Sequence, residues 1–148
     1  MKYIKLFENF EDYDPYELMI IPPNKKGEML MKEIKKDKPN LNLVSDLIVL
    51  GANVDWQDEY GRTALHYCGQ YDHLEIIAKM LIDAGADVNI QHSRGWTPLH
   101  IFTFYNHSRI VRMLLDAGAD KTISDNEGRL PYEFAKTQEL KELLNEIH

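Results

Sequence analysis

A repeating unit of 33 or 34 residues is the feature that most constrains how this chain can fold. The segments GRTALHYCGQYDHLEII from Gly61, GWTPLHIFTFYNHSRIV from Gly95 and GRLPYEFAKT from Gly128 align with spacings of 34 and 33 residues. A second marker, which reads GANVD, GADVN and GADKT, begins at positions 51, 85 and 118 and shows the same two spacings. Two independent markers with one period predict a stack of similar units, each packed against its neighbours.

The start of each unit predicts a short helix with a defined cap. Thr97 is a favourable N-cap residue, and Pro98 fits the first helical position because a missing N–H has no effect there. The pattern predicts a helix from Thr97 to Tyr105. It ends at Asn106, and Asp72 is the equivalent residue of the preceding unit. Both residue types tolerate the left-handed conformation of a tight turn.

The second half of each unit predicts another helix and a polar loop. Apolar residues at 110, 111, 114 and 115 form one buried stripe, and Gly118 supplies the end of that helix. The preceding unit has one more residue between His73 and Gly85 than this unit has between His107 and Gly118. We place that insertion in its second helix. The stretch ADKTISDNEG, which follows Gly118, predicts a hairpin-like loop.

These motifs resemble those of the ankyrin repeat family. TALH at 63–66 and TPLH at 97–100 are similar to its helix-opening motif, and GADVN at 85–89 is similar to its closing motif. The resemblance covers residues 25–148 and implies an all-α solenoid of stacked helix-turn-helix units with hairpin loops. Two full repeats are flanked by two partial capping repeats, with approximate bounds 25–57, 58–91, 92–124 and 125–148.

Residues 1–24 form an N-terminal extension with two alternative interpretations. Apolar residues at 3, 6, 7 and 10 have helical spacing, which predicts a cap over the first partial repeat. Alternatively, the extension is a sorting peptide, because Leu6-Phe7-Glu8 resembles the Leu-x-Glu sites that prohead proteases of large tailed phages cut. The chain would then be a structural or packaged component of a viral or phage particle.

Composition excludes several classes of function. The chain has 24 acidic and 17 basic residues, a net charge of -7, one cysteine and no apolar run of membrane-spanning length. We therefore expect a cytoplasmic monomer that binds neither nucleic acid nor membranes. The acidic charge predicts a protein partner with a basic patch.

The histidines and the cysteine do not predict an enzyme, a cofactor or a metal site. Four histidines fall in repeated positions, where in ankyrin-like folds they brace the turns by hydrogen bonds: His66, His100, His73 and His107. His92 and His148 fall outside such positions and have no ligand partner at metal spacing. Cys68 replaces a small helix residue, so packing explains it better than nucleophilic catalysis does.

The resemblance also implies where a partner would bind. In ankyrin-like folds the loop tips and first helices form a concave face, and the family's contact positions carry many aromatic and arginine residues here. The predicted partner-binding residues are Tyr60, Arg62, Gln70, Tyr71, Arg94, Trp96, Phe104, Tyr105, Asn126 and Arg129.

Two of those positions have an alternative interpretation, since Trp96 and Phe104 could pack into the core instead. The bulky pair Phe102-Thr103 predicts either wider spacing between first helices or a filled gap beside Gly69. The function predicted from the sequence is a non-enzymatic module that binds another protein through the concave face, with inhibition or neutralisation of that partner as an expected role.

Overall fold

Residues 14–145 of the chain, described by a computed structural model, form a row of helix pairs joined by loops. The α-helices are α1 (Pro15–Met19), α2 (Pro23–Ile34), α3 (Leu41–Val49), α4 (Ala64–Cys68), α5 (Glu75–Asp83), α6 (Pro98–Phe104), α7 (Ser108–Asp116) and α8 (Gln138–Asn145). Single 3₁₀ turns lie at Asp72–Leu74 and Pro131–Phe134. Between residues 14 and 145 the chain forms no strand, and the predicted all-α fold is confirmed.

The helices form two layers. Helices α2, α4 and α6 and the 3₁₀ turn Pro131–Phe134 pack in sequence along one layer, while α3, α5, α7 and α8 pack along the other. The two members of each pair also pack against each other. The last unit therefore has a 3₁₀ turn where the other three have a first helix.

A continuous apolar core joins the two layers. In α7 the side chains of Ile110, Val111 and Leu114 are buried, as the sequence stripe predicts, and Leu115 packs against them while partly exposed. Leu65 and Leu99, which belong to the opening motifs, have no solvent-exposed surface. Each helix contributes one apolar face, so neighbouring units are needed to complete the core.

The turns between paired helices differ from the prediction in one repeat. Asn106 adopts the expected left-handed conformation, with φ 65°. Asp72, by contrast, begins a 3₁₀ turn, and Asn106 is the only non-glycine with positive φ among residues 14–145. Helices α5 and α7 both have nine residues, so the additional residue lies in this turn and not in the second helix. A turn can absorb it without changing which face of α5 meets the core.

The segment before the repeats packs onto the first unit. Leu18 and Ile21 are buried in the core, and α2 begins at Pro23. The helical pattern predicted for positions 3–10 and the Leu6-Phe7-Glu8 motif lie outside the described residues, and both interpretations of that stretch stay predictions.

Gly69 and Phe102 explain how the first helices approach each other. A Cβ placed on Gly69 would lie 2.7 Å from Ile101 Cγ2 and 3.2 Å from the Phe102 ring, and Phe102 is fully buried. The sequence left two alternatives for the pair Phe102-Thr103, and the structure shows the second: the Phe102 ring fills the gap beside Gly69.

We expect Gly69→Ala to lower the free energy of unfolding by about 1–3 kcal/mol, because the added methyl overpacks this contact. The backbone at Gly69 has φ -68°, so alanine meets no conformational strain there. Urea denaturation measures the change. In an Ile101→Ala background the same substitution should have a smaller effect, and an equal effect in both backgrounds would contradict the assigned contact.

Candidate functional site

Two buried histidines hold the hairpin loops against the first helices. His66 Nδ1 lies 3.1 Å from the Thr63 backbone nitrogen and accepts its hydrogen bond, while Nε2 lies 3.0 Å from the Trp96 carbonyl oxygen. Nε2 therefore carries the proton and donates to Trp96. His100 repeats the arrangement with Thr97 and with the Arg129 carbonyl oxygen, at 3.1 and 3.2 Å. Each ring thus accepts a hydrogen bond at the N-terminus of its own helix and donates one to the next hairpin.

The electrostatic environment keeps these imidazoles neutral. Burial lowers the pKa of His66 to about 4 and outweighs the hydrogen bond to Trp96, which acts in the opposite direction. Burial also lowers the pKa of His100. The predicted structural role of both residues is confirmed by their hydrogen bonds.

The other predicted braces behave differently. His107 Nε2 is buried without a hydrogen-bond partner among the described residues and lies 3.6 Å from Asp72 Oδ1. The His107 ring instead packs edge-on against Phe102, with 5.7 Å between ring centroids. His73 is exposed and lies against the Tyr71 ring. For His107, the prediction of a hydrogen-bonding brace is wrong, because ring packing fixes this side chain.

The hairpin loops share one backbone geometry. The Asp58 N–H donates to the Arg62 carbonyl oxygen at 3.0 Å, and the same bond joins His92 to Trp96. His92 therefore occupies a repeated position, contrary to the sequence interpretation. The loops also bond to each other, since the Ser93 N–H donates to the Tyr60 carbonyl oxygen at 2.9 Å. The loop tips consequently form one connected edge of the molecule.

We number the three hairpins by these closing bonds: the first spans residues 58–62, the second 92–96 and the third 125–129. The first and third are closed by an ion pair between an aspartate and an arginine. Asp58 Oδ2 accepts from Arg62 Nε and Nη2 at 3.0 and 2.9 Å. Desolvation acts to raise the pKa of Asp58, but hydrogen bonds from Arg62 and Tyr60 lower it below its usual value.

Asp125 makes the corresponding contacts in the third hairpin. Its Oδ2 accepts from Arg129 Nε at 2.9 Å and from Trp96 Nε1 at 3.0 Å. Desolvation again acts to raise the pKa, and the hydrogen bonds from Arg129, Glu127 and Trp96 together lower the pKa of Asp125 to about 2. This carboxylate therefore stays ionised and ties two hairpins together.

Two adjoining cavities lie between the hairpins and the first helices, and we call this surface the groove. One cavity, of about 260 Å³, is lined by Tyr60, Arg62, Gln70, His92, Ser93 and Arg94. The other, of about 210 Å³, is lined by Gln70, His92, Arg94, Trp96, Ile101, Phe104 and Tyr105. The groove thus brings together seven of the ten predicted partner-binding residues.

The remaining three predicted residues lie outside the cavity walls. Tyr71 is 41% exposed and its ring packs on Tyr67. Asn126 donates from Nδ2 to the Ser93 carbonyl oxygen, and Arg129 is paired with Asp125. The role of these residues in binding stays a prediction.

Trp96 and Phe104 combine the two roles that the sequence left open. The Trp96 ring lies 4.8 Å from the Phe134 ring and 5.5 Å from the Phe104 ring, measured between centroids. Both side chains are partly buried between repeats, yet both line the groove. Removing Trp96 would therefore perturb the stack as well as the groove, whereas Tyr60 and Tyr105 are 53% and 46% exposed.

The ten predicted binding residues leave out three that line the groove: His92, Ser93 and Ile101. Ser93 lies at a family contact position, whereas His92 and Ile101 were not recognised from the sequence. The repeat spacing could have found His92, which lies 34 residues after Asp58 and 33 before Asp125. Ile101 aligns with Tyr67, a position that the family pattern does not mark as a contact.

The charge within the groove differs from the charge of the whole chain. Among the described residues that line its two cavities, Arg62 and Arg94 are the charged ones, and none is a carboxylate. The net charge of -7, on which the prediction of a basic partner rested, therefore arises elsewhere.

The described residues contain no constellation for metal binding. Across positions 14–145, no group of three or more His, Cys, Asp or Glu side chains could hold an ion. Cys68 is fully buried, and burial raises the pKa of its thiol. Packing accounts for it. No helix within the described part of the chain is long and apolar enough to cross a bilayer.

The stacked units and their hairpin edge define a helical repeat protein. The family model described as ankyrin repeats (3 copies) matches residues 30–125, which is more than half of the chain. The chain belongs to the ankyrin repeat family. Ankyrin repeats are in general non-enzymatic modules of protein–protein interaction.

Relatives match over the repeats alone. Neurogenic locus notch homolog protein 2 of Homo sapiens is 43% identical over 60 residues, covering 40% of this chain and 2% of that protein. Neurogenic locus notch homolog protein 1 is 44% identical over 69 residues in Mus musculus and 39% over 66 in Danio rerio. These matches cover 46% and 44% of this chain. The chain spans about 2–3% of the length of these curated relatives.

Replacing His66 with Ala should lower the free energy of unfolding by about 1–3 kcal/mol, because the Thr63 N–H and the Trp96 carbonyl would lose their partner in a buried place. Chemical denaturation measures the loss. His73→Ala is the matched control and should change stability by less than about 0.5 kcal/mol, since that side chain is exposed. Equal losses in both variants would contradict the brace.

Stability should also depend on pH through His66. Its folded pKa of about 4 lies below the ordinary value of 6.5, so the unfolded chain binds a proton that the folded chain excludes. The contribution of the neutral ring is complete above pH 6.5 and is lost as pH falls towards 4, with a slope of up to about 1.4 kcal/mol per pH unit. Denaturation of wild type and His66→Gln across this range tests it; an unchanged slope in the variant would exclude His66 as the cause.

Proposed function

We propose that this protein binds a partner protein through the groove, which corresponds to the concave face predicted from the sequence. The observation that carries the proposal is a cluster of exposed aromatic and cationic side chains around two adjoining cavities. Tyr60, Tyr105 and Arg94 are all exposed there. Tyrosine and arginine, together with tryptophan, are enriched at interaction hot spots.

The roles of the motif residues in the scaffold support this assignment. Folding explains the cap and core residues, but it does not explain exposed groove residues such as Tyr60. The threonines and histidines of the opening motifs are used in helix caps, and the leucines are buried. The exposed ring of Tyr60 instead lies under the Arg62 guanidinium, at 4.9 Å from its centroid. Such a stacked pair is held in place before a partner arrives, which lowers the entropy lost on binding.

The groove is also rigidly mounted. Its hairpins are joined by backbone hydrogen bonds, and the His66 and His100 rings attach them to the first helices. Binding residues on a fixed frame need little rearrangement on association. We propose that the protein acts as a cytoplasmic monomer, with inhibition or neutralisation of its partner as the functional result.

The alternative, a packaged component of a viral or phage particle, depends on the N-terminal extension, residues 1–24, whose Leu6-Phe7-Glu8 motif falls within residues 1–13. Residues 1–13 lie outside the described part of the chain, and no contact in residues 14–145 favours that alternative over groove binding. A variant lacking residues 1–13 that still binds the captured partner would support the groove.

The partner can be identified by affinity capture from the native host followed by mass spectrometry. With the captured partner in purified form, Tyr71→Ala and Tyr105→Ala should each weaken binding about tenfold, because each removes an exposed aromatic ring beside or within the groove. Melting temperatures should stay within a few degrees of wild type, since both side chains are partly exposed.

Tyr132→Ala is the matched control. Tyr132 is exposed to a similar extent, at 37%, but lines a depression with α8 and not the groove. We expect its affinity to equal that of wild type. If Tyr132→Ala or the α7 variant Arg112→Glu abolishes binding while Tyr71→Ala and Tyr105→Ala bind normally, the partner uses a different face.

A further inference from the structure

The three hairpins carry different side chains at equivalent positions of one backbone geometry. Each hairpin begins five residues before a helix cap, at Asp58, His92 and Asp125. The loop tip follows two residues later and is Tyr60 in the first hairpin, Arg94 in the second and Glu127 in the third. In the third hairpin, Glu127 Oε1 lies 3.0 Å from Arg129 Nη2. That loop is therefore closed by ion pairs among its own side chains.

The middle hairpin lacks such pairs. His92 stands where the flanking loops have Asp58 and Asp125, and Trp96 stands where they have arginine. The cation of this loop is Arg94 at the tip. Among residues 14–145, none forms an ion pair with Arg94, and its side chain lines both cavities of the groove.

Among the described residues, the lining of the cavity that Arg94 shares with Arg62 has two cations and no carboxylate. Asp58 is shared between Arg62, at 2.9 Å, and Lys35, at 3.6 Å. One carboxylate therefore faces two cations, and Arg94 adds a third. Burial, followed by the charges of Arg62 and Arg94, lowers the pKa of His92, so this ring stays neutral.

We propose that the cavity beside Arg94 receives an aspartate or glutamate side chain from an acidic segment of the partner protein. The inference rests on the proposed function and names the chemistry of the partner at that site. Arg94 would bind the carboxylate through charge-assisted hydrogen bonds, and Gln70 and Ser93 offer neutral polar groups in the same cavity. The adjoining cavity, with Ile101, Phe104 and Tyr105 among its lining, accommodates an apolar residue next to the acid.

The net charge of the chain decides between a peptide carboxylate and a polyanion. A nucleic acid carries closely spaced charges and would meet repulsion from a chain with net charge -7. A folded or extended partner that presents one or two carboxylates beside apolar residues avoids most of that repulsion. The local cation then provides specificity in an otherwise acidic molecule.

A phage-displayed library of random linear peptides, selected on the full chain, supplies the probe. We expect an enriched sequence with Asp or Glu adjacent to an apolar residue. A synthetic peptide of that sequence should bind wild type about tenfold more tightly than the same peptide with the acid replaced by its amide. Arg94→Gln should remove this discrimination, and Arg94→Glu should shift the selected sequences to Lys or Arg.

The controls separate failure of this inference from failure of groove binding. Arg112→Gln, an equivalent change on α7, should retain the preference for the acid. Peptides that depend on Tyr105 but show no acid preference, or an acid preference that survives Arg94→Gln, would overturn the inference and leave groove binding in place. If no peptide is selected, the inference of an acidic ligand fails while groove binding stands. If the captured partner also binds Tyr71→Ala and Tyr105→Ala as tightly as wild type, groove binding fails as well.

Discussion

The hydrogen bond from a buried histidine to the next hairpin is the interaction on which the rest of this structure depends. His66 accepts from the cap of its own helix and donates to the Trp96 carbonyl, which belongs to the following unit. A local feature, the helix start, is thereby coupled to the spacing between units. Because the ring is buried and neutral, neither bond can be replaced by water without exposing the core. The distance between the hairpins and the first helices, which form the walls of the groove, is set by these histidine hydrogen bonds.

The same scaffold separates what holds the fold from what can bind. Asp58, His92 and Asp125 all start a hairpin with the same backbone bond, yet only the two aspartates close their loops with an arginine. The backbone therefore tolerates exchange of these side chains, since its own hydrogen bonds already define the turn. This tolerance is what allows the middle hairpin to present Arg94 to the groove, while the arginines of the neighbouring hairpins are ion-paired within their own loops.

Membership of the ankyrin repeat family accounts for the scaffold and not for a particular partner. The relatives share the repeats over at most 69 residues and are far longer proteins. Helix caps, buried leucines and glycine turns are features that any such stack requires. A partner is instead selected by exposed residues such as Tyr60, Arg94 and Tyr105. The chemistry of the groove therefore carries the functional argument for this chain.

The sequence by itself determined the repeat length, the all-α class, the capped helix starts and the left-handed turn at Asn106, because each depends on contacts within a few residues. The resemblance to the ankyrin repeat family, carried by the sequence motifs, marked seven of the ten residues that line the groove. Only the tertiary structure decided that Asp72 begins a 3₁₀ turn, that His107 packs on Phe102 and that the groove is locally cationic. These features depend on which side chains from different units meet, and neither local propensity nor net charge contains that information.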